Sequence, residues 1–569
     1  MPKTKGNLHE QQPHPTVRPV HDALRRLHHR DDPPPNAQDQ SIQDQLEALR
    51  KEIADLKRNA NRASPDTLQQ GTGQNIGGTT TRENLLGGDR RNLNTPPSDR
   101  KGAATDDVRD RVDTETRLSV TERKQELIEE QLAKQASTAP AISFNDKGLV
   151  FKSADGNHAL RLGGNLQLDG RQYIGEENDA NNQFLVRRAR VYASGTLWKY
   201  IDFRFMPDFG TLDAQNTRNT AIICDAWLAF NAQKEIQVQV GKFKPPIGLE
   251  MLQSDQNTTF MERGPVGQLQ PNRQLGFMPN GLLFDDTLNW AVGVFASAPN
   301  NYTQTVDTQD GYGIAARLFA RPFVNDADEL TGLGFGVAGT YSNADDYAVG
   351  STAISNGLNS FSSDPGNTFF TWSANSQRNG AIYRINPQAF YYYGPWGVQA
   401  EYILQSQGLT YNSGSKTQQR QIRDTSWAWQ AQVSYNITGE DNSFDSLVPA
   451  NNFDFFQTED EDATGLWQIA FRADQLQLDS DLFNQPTAGT TFANNSPSGN
   501  NARGFNSYTL GLNWYLNPNI RLYLNAVYTP WYYSSRSTTT GQTGVGVPAT
   551  GTTISNDELG ITARIQCFF

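Results

Sequence analysis

The chain ends on the segment Leu559–Phe569, LGITARIQCFF, which has the period-two pattern of a β-strand. Its odd-numbered residues are apolar, and Gly560, Thr562, Arg564 and Gln566 stand between them. A strand that has one apolar and one polar face and ends on an aromatic residue is typical of the last strand of an outer-membrane β-barrel. The segment therefore predicts an all-β fold, a transmembrane antiparallel β-barrel.

The composition of the 569 residues agrees with this prediction. Mean hydropathy is −0.63, and no run reaches the roughly 18 apolar residues that a transmembrane helix needs. Aromatic residues make up 10% of the chain and glycine is abundant, as expected of many strands joined by turns. Cys224 and Cys567 fall at apolar strand positions, so we interpret both as small lipid-facing residues and not as a disulfide or metal pair.

The same alternation continues upstream of the last strand, from about residue 159 onward. Leu160, Leu162 and Leu166 are predicted to face lipid, whereas Arg161 and Gln167 between them face the lumen. Repeating this assignment along the chain gives about 16 strands, an even number in the size class that leaves an aqueous channel. We therefore assign residues 141–569 to the barrel.

The residues before the barrel divide into three segments. Residues 41–60 are predicted to form a short coiled coil, because Ile42, Leu46, Leu49, Ile53 and Leu56 are spaced four, three, four and three apart. Residues 61–140 are interpreted as a linker rich in Gly, Asn, Thr and Pro that includes a charged helical segment. Two heptads are marginal alone, so the coiled coil is expected to form only when a trimeric barrel holds three copies together.

Residues 1–40 are an atypical, disordered N-terminus in this interpretation. An exported barrel needs a signal peptide with an apolar core, and residues 1–35 contain none. We therefore expect a misassigned start in this region. The histidines of this region, among them His21, His28 and His29, are not interpreted as a metal site.

Basic residues dominate the predicted lumen positions, although the net charge of the chain is −12. Most carboxylates instead lie in connecting segments such as 326–329 and 459–462. Guanidinium groups stay charged and offer paired donors to phosphate, carboxylate or sulfate oxygens. The candidate pore-lining and anion-binding residues are Arg161, Arg188, Arg190, Arg204, Arg317, Arg321, Arg384, Arg472, Arg521, Lys242, Lys244 and Arg263, with Arg171 and Arg564 also on the lumen face.

An inward-folding loop is predicted over Glu250–Gly276, which contains Arg263 but no lysine. Strict alternation places Lys242 and Lys244 outward; either a bulge around Gly241 turns them inward or they anchor at the rim. A second alternative is open for Arg188 and Arg190, whose charges would be cancelled if they paired with Asp202 or Asp225.

No arrangement of residues indicates catalysis. A set of nucleophile, base and orienting group is not recognisable, and the sole histidine after the N-terminal segments is His158. The acidic run Glu459–Asp462 lacks the alternating ligands and turn glycine of a calcium loop. We expect no enzymatic activity, no cofactor, no metal and no nucleic-acid partner.

Six motifs occur in a fixed order along the chain: FLVRRARVYASG (184–195), FMPDFG (205–210), DAWL (225–228), VGKFKPPIGLE (240–250), ERG (262–264) and GLNWYLNP (511–518). In this order they resemble those of the phosphate-selective porins O and P. The resemblance implies a homotrimer of sixteen-stranded barrels in the bacterial outer membrane, with an arginine- and lysine-lined pore that passes phosphate, polyphosphate or related anions by passive diffusion. The barrel is also expected to contact outer-membrane lipid and, through its C-terminal strand ending in Phe569, the barrel-assembly machinery, with the N-terminal extension in the periplasm.

The sequence also permits two functions other than anion-selective transport. Relatives with tight phosphate selectivity are expected to carry lysines at the narrowest point, and Glu250–Gly276 has none, which favours a general diffusion or sugar-type porin. The other alternative is an envelope structural protein tethered through its coiled coil.

Overall fold

The computed structural model describes residues 47–58, 103–138, 140–145, 148–174, 182–210, 221–303, 311–326, 329–344, 347, 350, 356–414, 419–455, 463–483, 491–493, 501–532 and 557–569. The chain forms two compact units, Met1–Ala139 and Pro140–Phe569. The predictions for residues 1–40, for Ile42 and Leu46 of the coiled coil, and for the run Glu459–Asp462 lie outside the described residues.

Two helices are described in the first unit, α1 over 47–58 and α2 over Ala103–Thr138. Ile53 and Leu56 of α1 are buried within this unit. Exposed ion pairs join the helices, including Lys57 with Glu122 at 3.0 Å, and pairs of this kind contribute little stability. None of the described helices is both long and apolar enough to cross a membrane. The coiled coil between three chains stays a prediction.

The second unit is a closed barrel of sixteen antiparallel strands, counted over the described residues. The chain closes the barrel where the last strand pairs with the first barrel strand, with Arg564 opposite Asp169. This confirms the predicted fold class and strand number. The barrel strands are β3 (Ala159–Ile174), β4 (Gln183–Leu197), β5 (Ile201–Asp208), β6 (Ile222–Phe230), β7 (Gln237–Phe243), β8 (Gln274–Leu283), β9 (Leu288–Ala296), β10 (Tyr312–Ala320), β11 (Leu333–Ala344), β14 (Ser376–Tyr393), β15 (Trp396–Asn412), β16 (Gln419–Asn436), β17 (Leu466–Gln477), β18 (Gly504–Tyr515), β19 (Ile520–Tyr532) and β20 (Asp557–Phe568).

Shorter elements accompany the barrel. A hairpin of β1 (Ala141–Asn145) and β2 (Gly148–Lys152) precedes it, and β2 pairs with the start of β3. A second hairpin, β12 (Phe361–Ser362) and β13 (Thr368–Phe370), lies in the connection between β11 and β14. The connection between β7 and β8 contains the helix α3 (Leu249–Leu252) and a 3₁₀ helix over Pro265–Leu269.

The faces of the strands follow the predicted alternation. In β20, Arg564 and Gln566 are buried inside the barrel, whereas Ile565 between them is exposed on the outer surface. In β3, Gln167 is likewise buried and Leu166 is exposed. An outer surface of exposed large aliphatic side chains is unfavourable in water and suits lipid. The apolar residues of the closing segment therefore decide which side of the sheet faces the membrane.

Two connections fold into the barrel, and we name them the inner loop (residues 244–273) and the inner hairpin (residues 361–370). Ile247 and Leu269 of the inner loop and Phe370 of the inner hairpin are fully buried in one apolar cluster with Ile403 of β15. Burying such side chains contributes roughly 1.5–3 kcal/mol each. The inner loop and inner hairpin are thus held against the wall by a hydrophobic core inside the barrel.

Candidate pore-lining site

The inner loop begins at a backbone irregularity in β7. Gly241 has a φ of 123°, and a Cβ there would lie 2.3 Å from the carbonyl oxygen of Ala226, so only glycine fits. Beyond it Lys242 is 2% exposed, and the Lys244 ammonium donates to the carbonyl oxygens of Met251 at 2.6 Å and Gln253 at 3.0 Å. The two lysines are therefore not anchored at the rim. The register of β7 with β6 and β8 is continuous across Gly241, so the positive φ of this glycine, and not the predicted bulge, redirects the chain. Burial lowers the pKa of Lys244 well below its usual range.

The first turn of the inner loop is fixed to the wall by a carboxylate. The backbone N–H groups of Leu249 and Glu250 donate to Glu401 of β15 at 2.9 and 3.2 Å. The side-chain amide of Gln430 in β16 donates both to Glu250, at 2.7 Å, and to Glu401, at 2.9 Å. Glu401 therefore positions the loop and is not available as a free charge in the lumen.

Asp255 of the inner loop is bound by three arginines. Arg190 and Arg263 form close ion pairs with it, and Arg188 lies 3.7 Å away. Arg190 also donates to Asp208 of β5 at 2.7 Å. Burial alone would raise the pKa of Asp255, but the three guanidiniums outweigh it and hold the pKa well below its usual range.

Glu262 of the inner loop is bound by a second set, the arginine triad of Arg171, Arg187 and Arg564. Oε1 of Glu262 accepts from Arg171 at 2.8 Å, from Arg187 at 2.7 Å and from Arg564 at 3.1 Å. Arg187 also donates to Oε2 at 3.0 Å. Burial opposes ionisation of Glu262, yet the triad keeps its pKa well below the usual range.

Arg187 lies in the lumen because of a β-bulge. Gln167 of β3 pairs with Arg188, but the next residue, Leu168, pairs with Val186, so Arg187 is the extra residue of β4. A bulge places two neighbouring side chains on nearly the same side of the sheet. The sequence prediction missed Arg187 because strict alternation assigns it to the lipid face. Two consecutive arginines in one strand were the only available signal.

Arg472 of β17 is the attachment point of the inner hairpin. It forms a close ion pair with Asp364 of that hairpin and donates to Asp474 at 2.9 Å. The carbonyl oxygen of Pro365 accepts from Arg171 at 2.7 Å, so the tip of the inner hairpin also contacts β3.

The partners predicted for Arg188 and Arg190 differ from those in the structure. Asp225 lies near Arg204, at 3.5 Å, and accepts from Arg273 at 2.8 Å. Asp202 accepts from Thr196 at 2.6 Å and from Asn231. The charges of Arg188 and Arg190 are thus cancelled by carboxylates, as the second alternative predicted. The carboxylates, however, are Asp208 and Asp255 of the inner loop, and not Asp202 or Asp225.

Other predicted residues have neutral neighbours. Arg317 donates to Gln388 at 3.0 Å, and Arg384 donates to the carbonyl oxygen of Leu269 at 2.8 Å. Arg521 lies between the rings of Tyr515 and Tyr523, 4.2 and 3.9 Å from their centroids. Within the part of the chain that the structure describes, Arg317, Arg384 and Arg521 have no carboxylate within 4 Å.

The last two predicted residues lie near the ends of strands. Arg161 donates to the Tyr192 hydroxyl at 3.0 Å. Arg321, predicted on the lumen face, is exposed one residue beyond the end of β10, and its backbone N–H bonds to Thr287. It therefore lies at a turn and not on the barrel wall.

The half-buried charged side chains of the barrel strands and the inner loop are mostly basic. Among the described residues, the buried charged side chains are balanced, with ten basic and ten acidic. The half-buried ones on the strands and the inner loop are not balanced. They include Arg161, Arg187, Arg204, Arg263 and Arg317, against Asp202 and Glu262.

The chain is similar to known porins in sequence and in fold. The family model "Phosphate-selective porin O and P" matches residues 160–543. Porin O of Pseudomonas aeruginosa is 22% identical over 396 residues, 66% of this chain and 84% of that protein. Among solved structures, an anion-selective porin from Comamonas acidovorans is 11% identical with a TM-score of 0.40, covering 72% of this chain and all of that one.

A further solved structure, the outer membrane channel DcaP of Acinetobacter baumannii, is 10% identical with a TM-score of 0.43, covering 74% of this chain and 99% of that one. The family match, in contrast, extends over more than half of the chain and includes nearly all of the barrel strands. The chain therefore belongs to the phosphate-selective porin O and P family.

Proposed function

We propose that this porin mediates passive diffusion of anions, phosphate or related oxyanions, across the outer membrane through an arginine-rich lumen. The observation that carries the proposal is the basic excess among half-buried inward charges. Arg317 and Arg384 support it, because their charges have neutral hydrogen-bond partners and no carboxylate within 4 Å among the described residues. An anion in the lumen is attracted by such charges, and each contact must be weak enough to release it.

We also propose a homotrimer in contact with outer-membrane lipid, inserted by the barrel-assembly machinery through the C-terminal strand, with the N-terminal unit in the periplasm. The terminal residue supports a role in barrel closure. The carbonyl oxygen of Phe569 accepts from the backbone N–H of Gly164 at 2.9 Å and from the Tyr192 hydroxyl at 3.0 Å. The last residue of the chain is thus tied to the first barrel strand.

A general diffusion or sugar-type porin is the second candidate. It is favoured by the carboxylates of the inner loop, since Asp255 and Glu262 neutralise arginines that would otherwise attract anions. The absence of lysine from the predicted loop Glu250–Gly276 also favours it. The two candidates differ in the sign of ion selectivity and in the response to phosphate.

The reversal potential of the refolded protein in a planar bilayer under a KCl gradient distinguishes them. We expect a potential of the sign that anion preference gives, followed by a loss of chloride conductance when phosphate is added. Cation preference, or anion preference without any effect of phosphate, would favour the general porin.

A further inference from the structure

One arginine of the barrel faces outward and not into the lumen. Among the described residues of the sixteen barrel strands, Arg423 of β16 is the single arginine or lysine at an outward position. Its side chain is exposed, whereas the neighbouring Asp424 is buried inside the barrel. A cation on the outer face is costly at the middle of a membrane and is tolerated near the membrane surface. The depth of Arg423 therefore decides what the guanidinium meets.

The outer face of β15 and β16 changes from apolar to polar towards Arg423. Leu404 of β15 lies opposite Trp427 of β16, and two residues further along Ser406 lies opposite Thr425. Arg423 follows two residues beyond Thr425. The long β11–β14 and β17–β18 connections leave the barrel at this end, and long connections of outer-membrane barrels lie outside the cell. Arg423 is thus just beyond the apolar band, at the level of the lipid headgroups of the outer leaflet.

Neutral groups hold the Arg423 guanidinium in place. It lies 5.2 Å from the centre of the Tyr383 ring and donates to the Ser406 hydroxyl at 3.2 Å. Within the part of the chain that the structure describes, no carboxylate lies within 4 Å of it. Asp479, which follows β17, accepts instead from the backbone N–H of Thr425 at 2.8 Å. Arg423 therefore presents an uncancelled and oriented positive charge to the outer surface.

The groups around Arg423 suit a headgroup that carries both phosphate and sugar. Gln421 and Gln419 are exposed beyond it on the same face of β16, and side-chain amides both donate to and accept from sugar hydroxyls. The corresponding end of β20 differs, because the exposed Asp557 lies there and accepts from the Tyr528 hydroxyl at 2.5 Å. A phosphate is attracted at β16 and repelled at β20.

We propose that the outward face around Arg423 binds a phosphorylated glycolipid of the outer leaflet. The guanidinium pairs with a headgroup phosphate, the amides of Gln419 and Gln421 bind the sugar, and the acyl chains lie against Trp427 and Leu404. The inference rests on the proposed contact with outer-membrane lipid and deepens it, because it names the headgroup class and the residue that selects it. The site lies outside the lumen, so it does not depend on the ion selectivity of the channel.

The test measures binding of diphosphorylated lipid A to the refolded protein in detergent by native mass spectrometry, with EDTA present so that no divalent cation bridges the phosphates. We expect Arg423→Gln to bind this lipid roughly tenfold more weakly than wild type, the loss expected for one charge-assisted hydrogen bond. Lys199→Gln is the matched control, since the Lys199 ammonium lies 5.6 Å from the centre of the Tyr200 ring at the opposite end of the barrel. This variant should bind like wild type, and lipid A without phosphates should bind all three proteins equally.

Equal binding of diphosphorylated lipid A to wild type and Arg423→Gln would overturn the proposal, as would an equal loss in Lys199→Gln. If binding of phosphatidylglycerol depends on Arg423 as strongly as that of lipid A, the site recognises any lipid phosphate and the glycolipid assignment is wrong. If Arg423→Gln does not fold, wild type alone decides, because the absence of a preference for phosphorylated over phosphate-free lipid A refutes the site. Failure of every lipid, including phosphatidylethanolamine, to associate with any of the proteins would instead refute the proposed lipid contact.

Discussion

Two regions of the barrel wall present inward arginines, and they differ in what those arginines bind. On the wall formed by β3, β4, β17 and β20, Arg190, Arg472 and Arg564 each contact carboxylates. On the wall formed by β10 and β14, Arg317 and Arg384 donate to amide, hydroxyl and carbonyl oxygens. We name these the ion-paired wall and the amide-bound wall.

The difference shows that an arginine count does not give the charge of a lumen. On the ion-paired wall most of the arginines form ion pairs with Asp255 and Glu262 of the inner loop or with Asp364 of the inner hairpin. These ion pairs hold the inner loop and the inner hairpin in position. On the amide-bound wall the hydrogen bonds satisfy the guanidinium donors without cancelling their charge. We infer that the first wall mainly determines structure and the second mainly determines ion selectivity.

The largest effect is expected from Arg564→Gln on the ion-paired wall. Arg564 and Asp169 are fully buried, and removing one partner of a buried ion pair costs about 3–5 kcal/mol because the other charge is left uncompensated. Denaturant unfolding of the refolded barrel should show a loss of this size. Arg321→Gln, at an exposed turn, should change stability by less than about 0.5 kcal/mol. A loss for Arg564→Gln as small as that control would remove the distinction between the walls.

A smaller effect, on selectivity, is expected from Arg317→Gln and Arg384→Gln on the amide-bound wall. A unit charge roughly 6 Å from an ion in a water-like dielectric attracts an anion and repels a cation by about 0.7 kcal/mol each, so each substitution should lower the ratio of anion to cation permeability roughly tenfold. Reversal potentials of the two single variants measure this. The comparison of the walls is wrong if Arg190→Gln on the ion-paired wall lowers the ratio more than either of them.

The strand pattern was sufficient to predict the barrel, because period-two alternation depends only on neighbours in the sequence. It placed Arg188 and Arg564 inside correctly and missed Arg187, because a bulge inserts one residue and shifts the count. The carboxylates that pair with the arginines were harder to predict from the sequence. Asp364 reaches Arg472 across 108 positions of sequence, and no local pattern indicates such a contact.

The inner loop was partly predictable for the same reason. The sequence predicted where the inner loop lies along the chain and which charged residues it contains. It did not predict the direction of the Lys244 side chain. Alternation assigned Lys244 outward, whereas the left-handed Gly241 redirects the chain and Lys244 binds carbonyl oxygens of the loop. Positions where glycine adopts a positive φ are where a period-two count fails.

Lys244→Met sharpens the distinction between positioning and selectivity within the inner loop. The ammonium of Lys244 makes two hydrogen bonds to loop carbonyls, and their loss should cost about 1–3 kcal/mol. We expect the permeability ratio to stay at the wild-type value, since burial lowers the pKa of Lys244 and weakens its hold on a proton. A fall in the ratio of roughly tenfold, as for Arg317→Gln, would place Lys244 among the selectivity residues.

The smallest effect is expected from lowering the pH from 7 to 5. The pKa of Glu262 in the folded protein lies well below its usual value, which is about 4.3 in an unfolded chain. The stability that Glu262 contributes is therefore complete above about pH 5 and is lost only as the pH falls through the lowered folded value.

The difference in unfolding free energy between wild type and Glu262→Gln, measured in phosphate-free buffer, should accordingly be the same at pH 7 and pH 5. It should shrink only below about pH 4. A difference that already shrinks between pH 7 and 5 would mean that Glu262 takes up a proton there. The arginine triad would then not hold it as a carboxylate, and the ion-paired wall would carry more uncancelled positive charge than its contacts indicate.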